Sequence, residues 1–223
     1  MITKNIVSVS GGIDSATCLA LAVKEYGKDN IIAIHYNYNQ PTEAKELECA
    51  KKLTDYYGVD LIIKDIYNII AKGGLAAADQ DFTKPTREDG VSTGYVPFRN
   101  LMLLTIAASA GATMWPKAER LCIWIGPQKT DVAAYADCRL NFIIAASKAL
   151  DLSMDAMAVD IITPLIECTK TEVVKKALDL GVPIEYTYSC YKMIDGKPCG
   201  TCGACEERIS AFKELGVKDP VYA

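Results

Sequence analysis

Short apolar runs rich in β-branched residues alternate with helix-period segments through the first two-thirds of the chain. Residues 6–10, 31–36, 61–64, 121–125 and 158–162 read as strands. Between and after them lie helical patterns at 15–26, stopped by Gly27, and 42–57, with Thr42 as N-cap and Gly58 as stop. Further helices read at 98–110, 138–150 and 170–180, the last followed by Gly181 and Pro183. This order predicts an α/β fold: a five-stranded, mostly parallel sheet with helices on both faces. Such sheets bind ligands outside the carboxyl ends of their strands, near the point where strand order reverses. The loops after strands one, two and four are therefore the places to search. Residues 72–94 exceed an ordinary connection, which fits a lid and a plain surface insertion equally.

The character of the chain changes near Tyr186. The reading is one domain over 1–185 and a small metal-bound appendage over 186–223, closed by a short helix at 205–215. At 223 residues and 50% hydrophobic content, the chain can bury a core without disulfides. Lys and Arg total 24 against 28 Asp and Glu, so a broad phosphate-binding face and a stable nucleic-acid partner are not expected. The single histidine, His35, excludes multi-histidine metal sites and reads as support for the end of strand two. No signal-peptide pattern opens the sequence. The longest apolar stretch, 101–115, falls short of the about 20 residues a membrane helix needs. A cytoplasmic protein without a membrane partner is the expectation.

The first informative loop is Ser10-Gly11-Gly12-Ile13-Asp14-Ser15, between a strand and a helix. Two adjacent glycines let the backbone approach an anion, and the helix start offers free N–H groups and the positive dipole end. Ser10 and Ser15 add hydroxyl donors, and Asp14 can hold Mg²⁺ on a pyrophosphate. The loop itself contains no lysine, unlike a G-x-x-x-x-G-K loop. It suits attack at the α-phosphate of ATP, giving an adenylate and pyrophosphate.

Nine cysteines are unevenly placed, and Cys190, Cys199, Cys202 and Cys205 space as C-x₈-C-x₂-C-x₂-C. Four thiolates at roughly 2.3 Å satisfy Zn²⁺ and leave no open position, which makes a structural site. An iron–sulfur cluster is the competitor, because the two kinds of site overlap in spacing. Arg99 and Asn100 follow Pro97 at a helix start, where a cation and an amide can meet phosphate or carboxylate oxygens. Asp137 and Arg139 lie after strand four. There Asp137 can accept from a guanine-like edge and Arg139 can hold a carboxylate, or the two serve as a helix cap and a surface ion pair.

The S-G-G-x-D-S loop resembles the pyrophosphate-loop ATPases, an adenine nucleotide α hydrolase-like fold. Further segments are similar to the 7-cyano-7-deazaguanine synthases: Tyr38-Asn39-Gln40, Val96-Pro97-Phe98-Arg99-Asn100, Asp137-Cys138-Arg139, Thr163-Pro164-Leu165, Ser189-Cys190-Tyr191 and Cys199-Gly200-Thr201-Cys202-Gly203-Ala204-Cys205. The resemblance implies that 7-carboxy-7-deazaguanine is adenylated by ATP and converted by ammonia to an amide. A second activation then gives the nitrile. It implies Asp14, Ser15 and Arg99 as catalytic residues, and Ser10, Gly11, Gly12, Asp14, Ser15 and Asn100 as the nucleotide site. Gln40, Arg99, Asp131, Asp137 and Arg139 become substrate contacts, the four cysteines zinc ligands, and the assembly a homodimer. This chain has no room for a glutaminase domain beside the α/β domain, so free ammonium is the expected nitrogen source. Two segments depart from the family. Asn37-Tyr38-Asn39-Gln40-Pro41-Thr42 replaces Asp-Tyr-Gly-Gln with following basic residues, and Val132-Ala133-Ala134-Tyr135-Ala136 replaces an aromatic-Ser-Gly-Tyr-Pro run. Beside nitrile formation stand an enzyme that stops at the amide, one that joins the activated deazapurine to a macromolecular amine, and an adenylating RNA modifier.

Overall fold

Ile6 and Val7 are adjacent, both are fully buried, and they enter different cores, because successive side chains of a strand point to opposite faces. A sheet covered on both sides follows. The computed structural model describes residues 2–67, 74–76, 88 and 91–222. Strands β1 (Thr3–Ser8), β2 (Ile31–Asn37), β3 (Asp60–Asp65), β4 (Arg120–Trp124) and β5 (Ala158–Ile162) form one sheet in the order β3-β2-β1-β4-β5. Every neighbouring pair is parallel. The direction of strand progression reverses between β1 and β4, so the loop after β1 opens at the switch point.

Helices α1 (Ile13–Tyr26) and α2 (Glu43–Tyr57) pack on one face, and α3 (Arg99–Met114) on the other. The short α4 (Lys129–Ala134) and a 3₁₀ turn at Ala136–Cys138 precede α5 (Leu140–Leu152), which joins α3. Helix α6 (Lys170–Asp179) lies against α1. Two short strands, β6 (Met193–Ile194) and β7 (Lys197–Pro198), lead to α7 (Gly203–Glu214), which packs on α6. The α/β expectation holds, with all five strands parallel. Strand and helix ends move by a few residues. Most of the long 72–94 connection lies outside the described residues. No helix among the described residues is long and apolar enough to cross a membrane.

Candidate active site

Strand β1 ends at Ser8, and the chain turns through Ser10, Gly11 and Gly12 into α1. Gly11 takes φ +89, and a Cβ there would stand 2.6 Å from the Glu46 carbonyl and 2.9 Å from Cys49 Cβ. Only glycine lets the loop lie this close to α2. Ser15 Oγ donates to the Gly12 carbonyl at 2.9 Å and lies 3.2 Å from Ser10 Oγ. No side chain caps α1, which leaves its first-turn N–H groups for a ligand.

A cation reaches this loop from elsewhere in the chain. Thr169 and Glu172 form a capping box that starts α6, and Lys170 occupies its first position. Lys170 Nζ lies 2.7 Å from both carboxylate oxygens of Asp14, with the two side chains 13% and 27% exposed. Burial opposes the Lys170 charge, but Asp14, Asp131 and Glu207 outweigh it and raise its pKa. The lysine lacking in the loop is supplied by α6.

The loop and Lys170 form one end of a cavity of about 300 Å³. Tyr38, Arg99, Asp131, Tyr135 and Cys138 also line it, and Ser189, Tyr191 and Glu207 enter from the C-terminal segment. Asp131 is fixed by a capping box with Gln128, whose N–H donates to Asp131 Oδ2 at 3.0 Å. Burial first, and Asp14 second, push the Asp131 carboxyl up to about 6. Burial likewise pushes the Cys138 thiol up to about 12, which argues against a thiolate nucleophile.

Arg99 opens α3 directly after Phe98, whose φ of +58 is strained for an aromatic residue. Burial works against the Arg99 charge, yet Tyr38, Tyr135 and Asp137 together keep its pKa above the ordinary value. Asn100 ties two loops together. Its backbone N–H donates to Asp137 Oδ2 at 3.2 Å, and its side-chain amide to the Asp137 carbonyl at 3.0 Å and Cys138 Sγ at 3.3 Å.

The structure thus brings together Ser10, Gly12, Asp14, Ser15, Arg99, Asn100, Asp131 and Gln40 along one cavity. Gly11, the loop residue packed against α2, is not part of the lining. Asp137 and Arg139 are outside the lining. Asp137 holds the start of α3, and Arg139 is exposed with Nε donating to the Val132 carbonyl at 3.4 Å. Gln40 lines the cavity with its amide already engaged. Its Oε1 accepts from Tyr38 N–H at 2.9 Å, and Nε2 donates to the Tyr36 carbonyl and Glu46 Oε2 at 3.0 and 3.2 Å. Burial raises the Glu46 carboxyl in this pocket. His35 is buried with Nδ1 2.8 Å from the Val9 carbonyl, supporting the end of β1 from β2. Asn39 adopts φ +67. In that left-handed backbone asparagine is, after glycine, among the best-tolerated residues.

The Sγ atoms of Cys190, Cys199, Cys202 and Cys205 all lie within 4.8 Å of one another. Tetrahedral zinc with bonds of about 2.3 Å would place its sulfurs about 3.8 Å apart. Observed separations of 3.4, 3.8 and 3.4 Å match a single ion. The sulfurs also receive hydrogen bonds, from Cys199 N–H to Cys190 at 3.2 Å and from Tyr222 O–H to Cys205 at 3.0 Å. Such donors stabilise metal-bound thiolates. The donor set is consistent with zinc.

Sheet order and the glycine loop at the switch point define an adenine nucleotide α hydrolase-like fold, with a cavity beyond the loop. Two solved structures share this fold. One is the U34-tRNA thiolase NcsA from Methanococcus maripaludis with its 4Fe-4S cluster, at TM-score 0.52 and 19% identity over 96% of this chain and 67% of that one. The other is NMN synthetase from Francisella tularensis, at TM-score 0.51 and 15% identity over 97% of this chain and 79% of that one. At these identities the likeness shows the fold alone. The family described as queuosine biosynthesis protein QueC matches residues 4–216. A 7-cyano-7-deazaguanine synthase of Methanosphaerula palustris is 41% identical over 98% of each chain. That of Methanoculleus marisnigri is 39% identical over 98% of this chain and 97% of its own. The chain belongs to the QueC family.

Proposed function

We propose that this cavity converts 7-carboxy-7-deazaguanine to 7-cyano-7-deazaguanine at the expense of ATP and ammonia. Membership of the QueC family over nearly the whole chain assigns the synthase activity. The observation that carries the chemistry is the Ser10–Ser15 loop at the switch point with Lys170 set upon it. Loop N–H groups and hydroxyls bind pyrophosphate oxygens, and Lys170 neutralises charge as pyrophosphate leaves. Asp14 and Asp131, two carboxylates whose mutual repulsion contributes to the raised Asp131 pKa, would hold Mg²⁺. When bound, that ion neutralises phosphate charge.

Arg99 binds the substrate carboxylate and turns it toward the α-phosphorus. The carboxylate oxygen attacks, the bond to pyrophosphate breaks, and an acyl adenylate forms. Ammonia adds to the acyl carbon, its nitrogen gives up a proton, and AMP leaves with the former carboxylate oxygen, giving the amide. The amide oxygen attacks the α-phosphorus of a second ATP, and a second pyrophosphate leaves. Loss of AMP and two protons from nitrogen leaves the nitrile. Poor leaving groups are converted to good ones twice, which explains a demand for two ATP per product. Tyr38 and Tyr135 border the deazapurine end of the cavity, while Asp131, which the resemblance placed on the substrate, serves the metal in this reading. Asp137 acts on this site through the start of α3, and Arg139 lies at its outer margin. Cys190, Cys199, Cys202 and Cys205 would hold zinc, which contributes folding free energy. Pyrophosphate–ATP exchange tests the reading: radiolabel should enter ATP only when the carboxylate substrate is present. Exchange without the acid, or release of ADP in place of AMP, would overturn it.

A further inference from the structure

Arg208 is the largest fully buried side chain of the described residues, and its partners fall into two groups. Nε and Nη2 make a bidentate pair with Asp219 at 2.7 and 3.0 Å. The guanidinium also lies 5.6 and 5.7 Å from the ring centroids of Phe212 and Tyr222. This fixes it without using Nη1, which donates to two hydroxyls, Thr187 Oγ1 at 2.9 Å and Ser189 Oγ at 3.2 Å. Thr187 spends its own proton on the Ile184 carbonyl at 2.7 Å. Among the described residues, no acceptor takes the Ser189 proton.

Ser189 lines the cavity. A hydroxyl that accepts from a cation is a stronger donor, and an anionic oxygen is its best partner. The residue on one side, Tyr188, donates its N–H to the Gly11 carbonyl at 2.8 Å, which ties this segment to the glycine loop. The residue on the other side, Cys190, belongs to the thiolate cluster. Three ties therefore converge on residues 187–190: the loop, the buried Arg208 and the cysteine site. Structural support alone would not need a hydroxyl with an unspent proton in the cavity wall.

We propose that Ser189 is a nucleotide-binding residue that donates its hydroxyl to a phosphate oxygen, and that Arg208 is the positioning residue that aims and polarises it. The C-terminal appendage then forms a working wall of the active site and not a remote staple. This inference rests on the assignment of the Ser10–Ser15 loop to the ATP phosphates.

Calorimetry on the metal-loaded full chain tests it, with AMP and inorganic pyrophosphate as separate probes. Loss of a hydrogen bond to a charged oxygen predicts about tenfold weaker binding of one of them by Ser189→Ala. AMP would mark the α-phosphate and pyrophosphate the leaving group. Either result supports the proposal, provided that zinc content and melting temperature match the parent and Ser189→Thr restores affinity. In an Arg208→Lys background the Ser189→Ala effect should shrink to about twofold or less, because the two residues act as a unit. If Arg208→Lys does not fold, the two Ser189 variants alone decide. Unchanged binding of both probes by Ser189→Ala, with Ser10→Ala weakening them, would overturn the inference and leave the loop assignment standing. Unchanged binding in both variants would overturn the loop assignment itself, and this inference with it.

Discussion

Lys170 Nζ sits 2.7 Å from each carboxylate oxygen of Asp14, across 156 positions of sequence. The pair joins the first turn of α6 to the first turn of α1 and places one cation and one anion at the loop proposed above to bind the ATP pyrophosphate. Lysine at a helix start opposes the macrodipole, and Asp14 offsets that cost. In the proposed reaction, bound Mg²⁺·ATP would give each partner a better one, Lys170 a phosphate and Asp14 the metal.

Lys170→Met should therefore lower acid-dependent pyrophosphate–ATP exchange by about a hundredfold or more, the scale of removing one preorganised donor to transition-state charge. Affinity for the deazapurine acid should stay within about twofold. Calorimetry with the acid alone, set beside the exchange assay, separates the two effects.

Asp14→Ala and Ser10→Ala should abolish adenylate formation while leaving circular dichroism and melting close to the parent. Ser10 is exposed and Asp14 only half-buried, so neither supports the core. Near-normal AMP release by both variants would move the ATP site elsewhere.

The α/β architecture was legible because strand and helix periods differ, and the five strands fall where apolar β-branched runs occur. The glycine loop, Arg99 and the four cysteines were legible because each is a local pattern whose chemistry follows from its spacing. Lys170 was not, since its partner is distant in sequence and a helix-start lysine carries no signal of its own. Helix α4 was also missed. Six residues are too few for helical periodicity, though the Gln128–Asp131 capping box marks its start. Asp137 shows the limit of position as a guide: it follows β4 on the ligand side, yet its carboxylate accepts the Asn100 N–H.

That placement alters the weight given to Asp137. Asp137→Asn should weaken the deazapurine acid by less than about tenfold, the cost of one helix-start hydrogen bond. Arg99→Met, which removes the carboxylate's cation, should weaken it about a hundredfold. A titration series on both variants ranks them directly, and the reverse order would return Asp137 to direct base recognition.

Asp131 supplies a pH dependence. Its folded pKa, about 6, lies above the ordinary carboxylate value because of burial and Asp14. The associated stability is present at low pH and lost as pH rises through about 6. Mg²⁺ favours the ionised form, so Mg²⁺·ATP affinity should rise between about pH 5 and 7 with release of a proton. Asp131→Asn should flatten that rise, with Asp14, Lys170 and Glu207 still in place around it. Calorimetry in buffers of different ionisation enthalpy counts the proton.

One tightly bound zinc per chain is expected on Cys190, Cys199, Cys202 and Cys205. Chelation should disorder residues 187–222 and release the Tyr188–Gly11 hydrogen bond, which hydrogen exchange at Tyr188 would register as lost protection. Iron with visible absorption, or no metal in folded protein, would contradict the assignment.

The proposed reaction stands on two adenylations of one substrate. Purified protein incubated with ATP, ammonium and 7-carboxy-7-deazaguanine, followed by mass spectrometry, measures it. Transient amide and then nitrile are expected, with two AMP and two pyrophosphate released per nitrile formed. Amide accumulating as the end product with one AMP per molecule, or no AMP at all, would contradict it.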